Sequence, residues 1–149
     1  MTRCAFCKST SFETVYLPEV LAVGGRSFTA DLPYRRCSAC REEIVDDHVV
    51  VAFEKAVAAA LLEQQPSGEG FRFLRKRLAL SGKDVAELLD VTVETISQWE
   101  NNRRPIPRQS WALLGVLVHE HIRGDEVTMA RLRAPVRAPA PKTHVQLAV

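Results

Sequence analysis

The sequence predicts a mainly α protein in which a small β-rich N-terminal module precedes an α-helical domain. Three observations predict it. The four cysteines all lie between Cys4 and Cys40, among runs rich in β-branched and aromatic residues. From Phe71 onward, apolar residues recur at helical spacing. Between the two parts, "QQPSGEG" at 64–70 has the composition of a linker. A chain of 149 residues holds one ordinary domain or two small ones, and 46% hydrophobic with 26% charged residues is a globular composition.

In the first part, "FETVYL" and "RSFTADLPYRRC" read as strands, with "VGG" at 23–25 as the hairpin turn between them. A helix is expected over 46–64, where Asp46 or Asp47 can cap the start and Val49, Phe53, Val57 and Leu61 recur along one face. In the second part, Phe71, Leu74 and Leu78 form one stripe, Val85, Leu88 and Leu89 a second, and Ile96 with Trp99 a third. A longer apolar helix runs from Ser110 to Ile122, and Gly124 can end it. Its Trp111, Leu114, Leu117 and Val118 are either a dimer interface or core. The Pro/Ala-rich run "RAPVRAPAPKTHVQLAV" offers nothing to pack, so the tail is expected to be disordered. The predicted division is a module with its trailing helix over 1–65, a linker over 66–70, a helical domain over 71–125 and a tail over 126–149.

No secretory signal is visible: Arg3 is followed by cysteines and polar residues. The most apolar run, "IVDDHVVVAFEKAVAAALL", carries Asp46, Asp47, Glu54 and Lys55, which argues for a soluble helix and against a membrane span. A cytoplasmic location follows by default, and free thiols persist there. The net charge of +2 is small, but it is unevenly spread. Residues 1–65 hold seven basic and nine acidic side chains, residues 70–125 nine and seven, and the tail from Glu126 four and one. The basic character lies in the C-terminal half.

Cys4 with Cys7, and Cys37 with Cys40, form two C-x-x-C pairs. Two intervening residues let a tight turn aim both thiolates at one point, and two such knuckles complete a tetrahedron around Zn²⁺ at about 2.3 Å per sulfur. Every cysteine is used, so no position stays open and the zinc is expected to be structural, standing in for a core that a module of this size cannot build alone. One C-x-x-C would permit thiol–disulfide redox; two with matched spacing favour the metal. Arg3, Lys8, Arg35, Arg36 and Arg41 flank the cysteines and are expected to offset the negative charge of four thiolates around Zn²⁺. The four histidines carry no such pattern: His119 and His121 diverge on a helix, and His48 and His144 stand alone.

"LRKRLALSGKDVAELLDVTVETISQWENNRRPIP" reads as three short helices. The first ends near Leu80. Ser81 caps the second, small Ala86 lets a neighbour approach, Asp90 tolerates a left-handed turn, and Thr92 caps the third over 93–101. Helix, tight turn, helix of this size is the helix-turn-helix arrangement. Ile96 and Trp99 point inward, which leaves Glu94, Thr95 and Gln98 on the opposite face near the helix N-terminus, where major-groove readout takes place. Gln98 suits an adenine edge, Thr95 a thymine methyl and Glu94 a cytosine amino group. The set expected to face a duplex is Thr92, Glu94, Thr95, Gln98, Asn102 and Arg103, with Arg103 and Arg104 reaching phosphates. The competing reading is a helical packing domain with a solvated polar face.

"SGKDVAELLDVTVETISQWENNRRPIP" resembles the Xre/Cro-type helix-turn-helix, with Ala in its second helix and Trp-Glu at the end of its third. "CAFC…RRCSAC" followed by such a domain resembles the MqsA-type antitoxins, which join a YgiT-type zinc finger to a helix-turn-helix, and the likeness runs from residue 1 to about 123. The resemblance implies that Cys4, Cys7, Cys37 and Cys40 ligate zinc. It also implies that the zinc module binds a cognate toxin, usually a ribonuclease, and that the C-terminal domain dimerises and represses a promoter through a palindromic operator. Glu94 and Gln98 fall where that family reads bases. Gly82 stands where Xre-type domains often carry Gln, so one contact is expected to be missing, and the Pro-rich tail has no counterpart. A free-standing zinc-containing regulator without a toxin is the alternative. No nucleophile–base set, phosphate loop or open metal site marks an enzyme.

Overall fold

The computed structural model describes residues 3–134. A long hairpin of β1 (Phe12–Val23) and β2 (Arg26–Cys37) opens the fold, paired antiparallel from Phe12 opposite Cys37 to Val23 opposite Arg26. Gly24 and Gly25 form its two-residue loop, with φ of 64° and 72°. Two successive positive φ values match the right-handed twist of the flanking strands, and glycine adopts them without strain. The short β3 (Glu43–Ile44) pairs only with Arg35 and Arg36 on the other side of β2. β2 covers the predicted run, whereas β1 extends six residues past the predicted "FETVYL". They accommodate proline because Pro18 lies on the outer strand and Pro33 on the stretch of β2 that β3 leaves uncovered.

The helices are α1 (Asp47–Leu62), α2 (Gly68–Arg77), α3 (Gly82–Leu88), α4 (Val93–Glu100), α5 (Arg108–Arg123) and α6 (Val127–Arg133). One apolar cluster unites most of them. Val57, Ala58 and Leu61 of α1 meet Phe71 and Leu74 of α2, Val85 and Ala86 of α3, Ile96 and Trp99 of α4, and Trp111, Leu114 and Val118 of α5. The C-terminal part of the α1 stripe, Val57 and Leu61, is thus buried among the other helices, while Val49 and Phe53 are half-buried. The hairpin tip joins the same cluster through Val23, and the Gly24 amide donates to Glu69 Oε2 at 2.8 Å.

Two expectations change on this scaffold, and one open alternative is decided. Residues 66–70 are no free linker: Ser67 caps α2 by accepting from the Gly70 amide at 3.1 Å, and Gly68 and Gly70 are buried in its first turn. The apolar face of α5 is core, since Trp111, Leu114, Leu117 and Val118 are all buried within the chain. The predicted disordered tail begins instead with α6. There the Thr128 amide and hydroxyl both donate to the Glu120 carboxylate, at 2.9 and 2.6 Å, and Met129 packs against the core. A carboxylate at a helix start is a favourable partner, but it comes from α5 and leaves no local mark on the α6 sequence. The rest of the predicted tail, 135–149 with His144, lies outside the described residues.

The tightest contact is between the start of α2 and the end of α4. A Cβ on Gly68 would lie 2.6 Å from the Glu100 carbonyl oxygen and nearer still to that of Trp99. Both obstacles are backbone, so neither can swing aside. Gly68→Ala is expected to lower stability by about 1–3 kcal/mol, read as a reduced urea midpoint at unchanged slope. An unaltered midpoint would show that the two helices are free to separate.

Candidate functional site

The four cysteines converge as their spacing predicts. Their sulfurs all lie within 4.8 Å of one another, with Cys4 to Cys40 at 3.6 Å and Cys7 to Cys37 at 3.5 Å, and all four thiols are free of disulfides. A tetrahedron with bonds of about 2.3 Å has edges of about 3.8 Å, so the donor set fits one tetrahedral ion. The two knuckles repeat one turn. The Lys8 amide donates to the Cys4 carbonyl at 3.0 Å and the Arg41 amide to the Cys37 carbonyl at 2.9 Å. Lys8 and Arg41 both take a left-handed φ, 64° and 65°. These turns aim backbone amides at sulfur: the Cys40 amide, ahead of opposing burial, brings the Cys37 thiol down to about 6, and the Cys7 amide lowers that of Cys4.

The cations expected to balance the sulfurs are largely engaged elsewhere. Arg35 pairs with Asp46 at 2.6 Å, Arg36 with Glu43 at 2.8 Å and Arg41 with Glu13 at 2.9 Å. They fasten β1, β3 and the start of α1 around the knuckles. Backbone amides are the leading groups that lower the Cys4 and Cys37 thiols, and no arginine is among the causes.

At the other end of the molecule, α3 and α4 form the expected pair. Ser81 accepts from the Asp84 amide at 3.1 Å while Asp84 accepts from the Ser81 amide at 2.7 Å, a reciprocal capping box. Hydrogen bonding to the carboxyl from Ser81, from its side chain first and then from its amide, holds Asp84 below its usual range. Asp90 takes φ 52° in the turn, and Thr92 caps α4 by accepting from the Thr95 amide at 3.1 Å. Ile96 and Trp99 are each 2% exposed, and Trp99 meets Phe71 edge-on at 5.7 Å. The opposite ridge of α4 faces solvent.

Residues 71–116 match the family HTH_3, helix-turn-helix. This segment is a helix-turn-helix domain, a DNA-binding module. No curated protein matches the chain. Among the described residues, no helix is long and apolar enough to cross a membrane.

Within the helix-turn-helix domain the predicted duplex-facing residues divide. Exposed Glu94 and half-buried Gln98 share one ridge, where the Gln98 amide donates to Glu94 Oε1 at 3.4 Å. Thr92 and Thr95 are occupied with each other, hydroxyl to hydroxyl at 3.0 Å, at the cap. Asn102 takes φ 54° and its carbonyl oxygen accepts from the Gly68 amide at 2.8 Å, so this side chain ties the recognition helix to α2. Arg103 and Arg104 stand exposed just past the helix. Val93 and Ser97 also lie exposed on the ridge and were not anticipated; their places at the first and fifth positions of α4 were the available signal.

The largest omission was Glu100. It accepts from Arg75 Nε at 2.6 Å and Arg72 Nε at 3.0 Å, while Arg75 also donates to the Leu80 carbonyl at 2.7 Å. The side chains of Glu100 and Arg75 are only 9% and 13% exposed. Burial alone would raise the Glu100 carboxyl, but the bonds from Arg75 and Arg72 hold it below its ordinary value. A lowered carboxyl stabilises the fold above the ordinary glutamate range, and that contribution is lost as pH falls through the folded value. Glu100→Gln is therefore expected to lower stability by about 1–3 kcal/mol at pH 7, with the gap to the parent closing below about pH 4. Urea unfolding at both pH values measures it; a gap independent of pH would remove the carboxylate from the clamp.

Proposed function

We propose that the chain is a sequence-specific DNA-binding repressor that acts as the antitoxin of a toxin–antitoxin pair. The exposed polar ridge of α4, held on a capped helix-turn-helix, carries the DNA half of this reading. One recognition helix spans only a few base pairs, so a homodimer on a palindromic operator supplies the length that specificity needs. Glu94 and Gln98 face bases, and Arg103 and Arg104 face phosphates. The antitoxin half rests on the order of the chain, a four-cysteine module followed by a helix-turn-helix, as in the MqsA-type antitoxins. In this reading Cys4, Cys7, Cys37 and Cys40 hold one structural zinc, and the module around it binds a ribonuclease toxin in the cytoplasm.

Two variants test the DNA contacts on a duplex selected by the wild-type chain from a random pool. Gln98→Ala is expected to cost about 1–3 kcal/mol on that duplex and little on unselected DNA, whereas Arg103→Ala should weaken both and flatten the salt slope by about one unit. Equal losses on both duplexes for Gln98→Ala would reject its reading role. The module is tested separately with the product of the neighbouring gene. Cys37→Ser is expected to abolish stoichiometric zinc and capture of that product, while operator binding persists because the helices keep their own core. Retained capture without metal would dismiss the zinc-held docking surface.

A further inference from the structure

Val93 is the first residue of α4 and is 52% exposed. Its side chain takes no part in the apolar core. The buried face of the helix is made by Ile96 and Trp99, and a β-branched residue at an exposed helical position adds nothing to helix propensity. One turn on from Val93 comes Ser97, and the next row of the same ridge carries Glu94 and Gln98. The ridge thus presents one apolar point beside a carboxylate and an amide. In the major groove the C5-methyl group of thymine is the apolar feature among hydrogen-bonding edges. Thr95, the residue expected to meet that methyl, is half-buried with its hydroxyl turned to Thr92. N-terminal residues of a recognition helix are those that reach base edges, and Val93 heads this one.

We infer that Val93 reads the methyl group of one thymine in each operator half-site, an inference that rests on the duplex-binding reading above. The valine side chain covers the methyl and excludes water from it. Glu94 and the Gln98 carbonyl oxygen, both acceptors, turn toward exocyclic amino groups at adjacent positions.

The probe is the duplex that the wild-type full chain selects from a random-sequence pool, with each thymine replaced singly by deoxyuridine, which pairs alike but lacks the methyl. At one thymine per half-site the replacement is expected to weaken wild-type binding about fourfold. The same replacement should leave Val93→Ala unaffected, and Val93→Thr, which keeps one methyl, should fall between. The unfolding midpoint of Val93→Ala should equal that of the parent, because the side chain is exposed. Identical responses of wild type and Val93→Ala at every thymine would overturn the inference while operator binding stands. A pool that yields no enriched duplex would overturn the duplex-binding reading, and this inference with it.

Discussion

The direction of α4 is fixed at its far end, by its contact with α2. Glu100 sits between two arginines of α2, Asn102 accepts the first free amide of α2, and Gly68 lets the two backbones close to a distance that any side chain would prevent. Removing a partner from so enclosed a carboxylate is costly, so the pairing favours α2 and α4 staying together. The N-terminal end of α4 needs no tertiary contact of its own. Thr92 satisfies it locally, and Val93, Glu94 and Ser97 project outward. A helix clamped at one end and open at the other is suited to meeting a rigid groove.

The same α2 start is also where the hairpin arrives. Its Glu69 accepts the Gly24 amide, a Cβ at Gly24 would lie 2.9 Å from Ser67 Oγ, and Val23 enters the shared core. The hairpin is thus secured twice: at its base by the cysteine cluster and at its tip by the helical body. Between these points its outer face carries exposed Tyr16 and Val20. The Gly68 amide, Ser67 and Glu69 lie in one helical turn, so the hairpin tip and the end of the recognition helix touch the same few residues.

Much of this was legible because it is local. Ser81, Asp90 and Thr92 punctuate the helix pair through bonds within four residues, and the spacing of the cysteines specifies their convergence without reference to the rest of the chain. The stripes of Phe71, Leu74, Ile96 and Trp99 predict which faces are buried. What escaped the sequence depends on partners far along the chain. Glu100 looked like part of a motif, yet its arginines are 25 and 28 residues away. Asn102 looked like a free amide at a helix end, and Gly68 like linker. Arg35, Arg36 and Arg41 looked like counter-charges to sulfur because nearness in sequence hid the carboxylates of Asp46, Glu43 and Glu13. For α6, the capping carboxylate belongs to the preceding helix.

These internal pairings also bear on how the domain holds a duplex. Arg72, Arg75 and Arg77 would appear from sequence to be part of a basic surface, but Glu100 and Glu54 engage all three. Lys76, Arg103, Arg104 and Arg108 are the exposed cations of 71–116 that lie outside the ion pairs of the described residues. Non-specific affinity grows with the number of phosphates neutralised, so in the proposed complex one copy of this domain would have few cations to offer. In the proposed complex, discrimination would fall to the few side chains on the ridge, where the acidic Glu94 would add repulsion from phosphates. In the proposed homodimer, two copies on a two-fold site would double both the phosphate contacts and the base contacts, which is what so sparse a surface calls for.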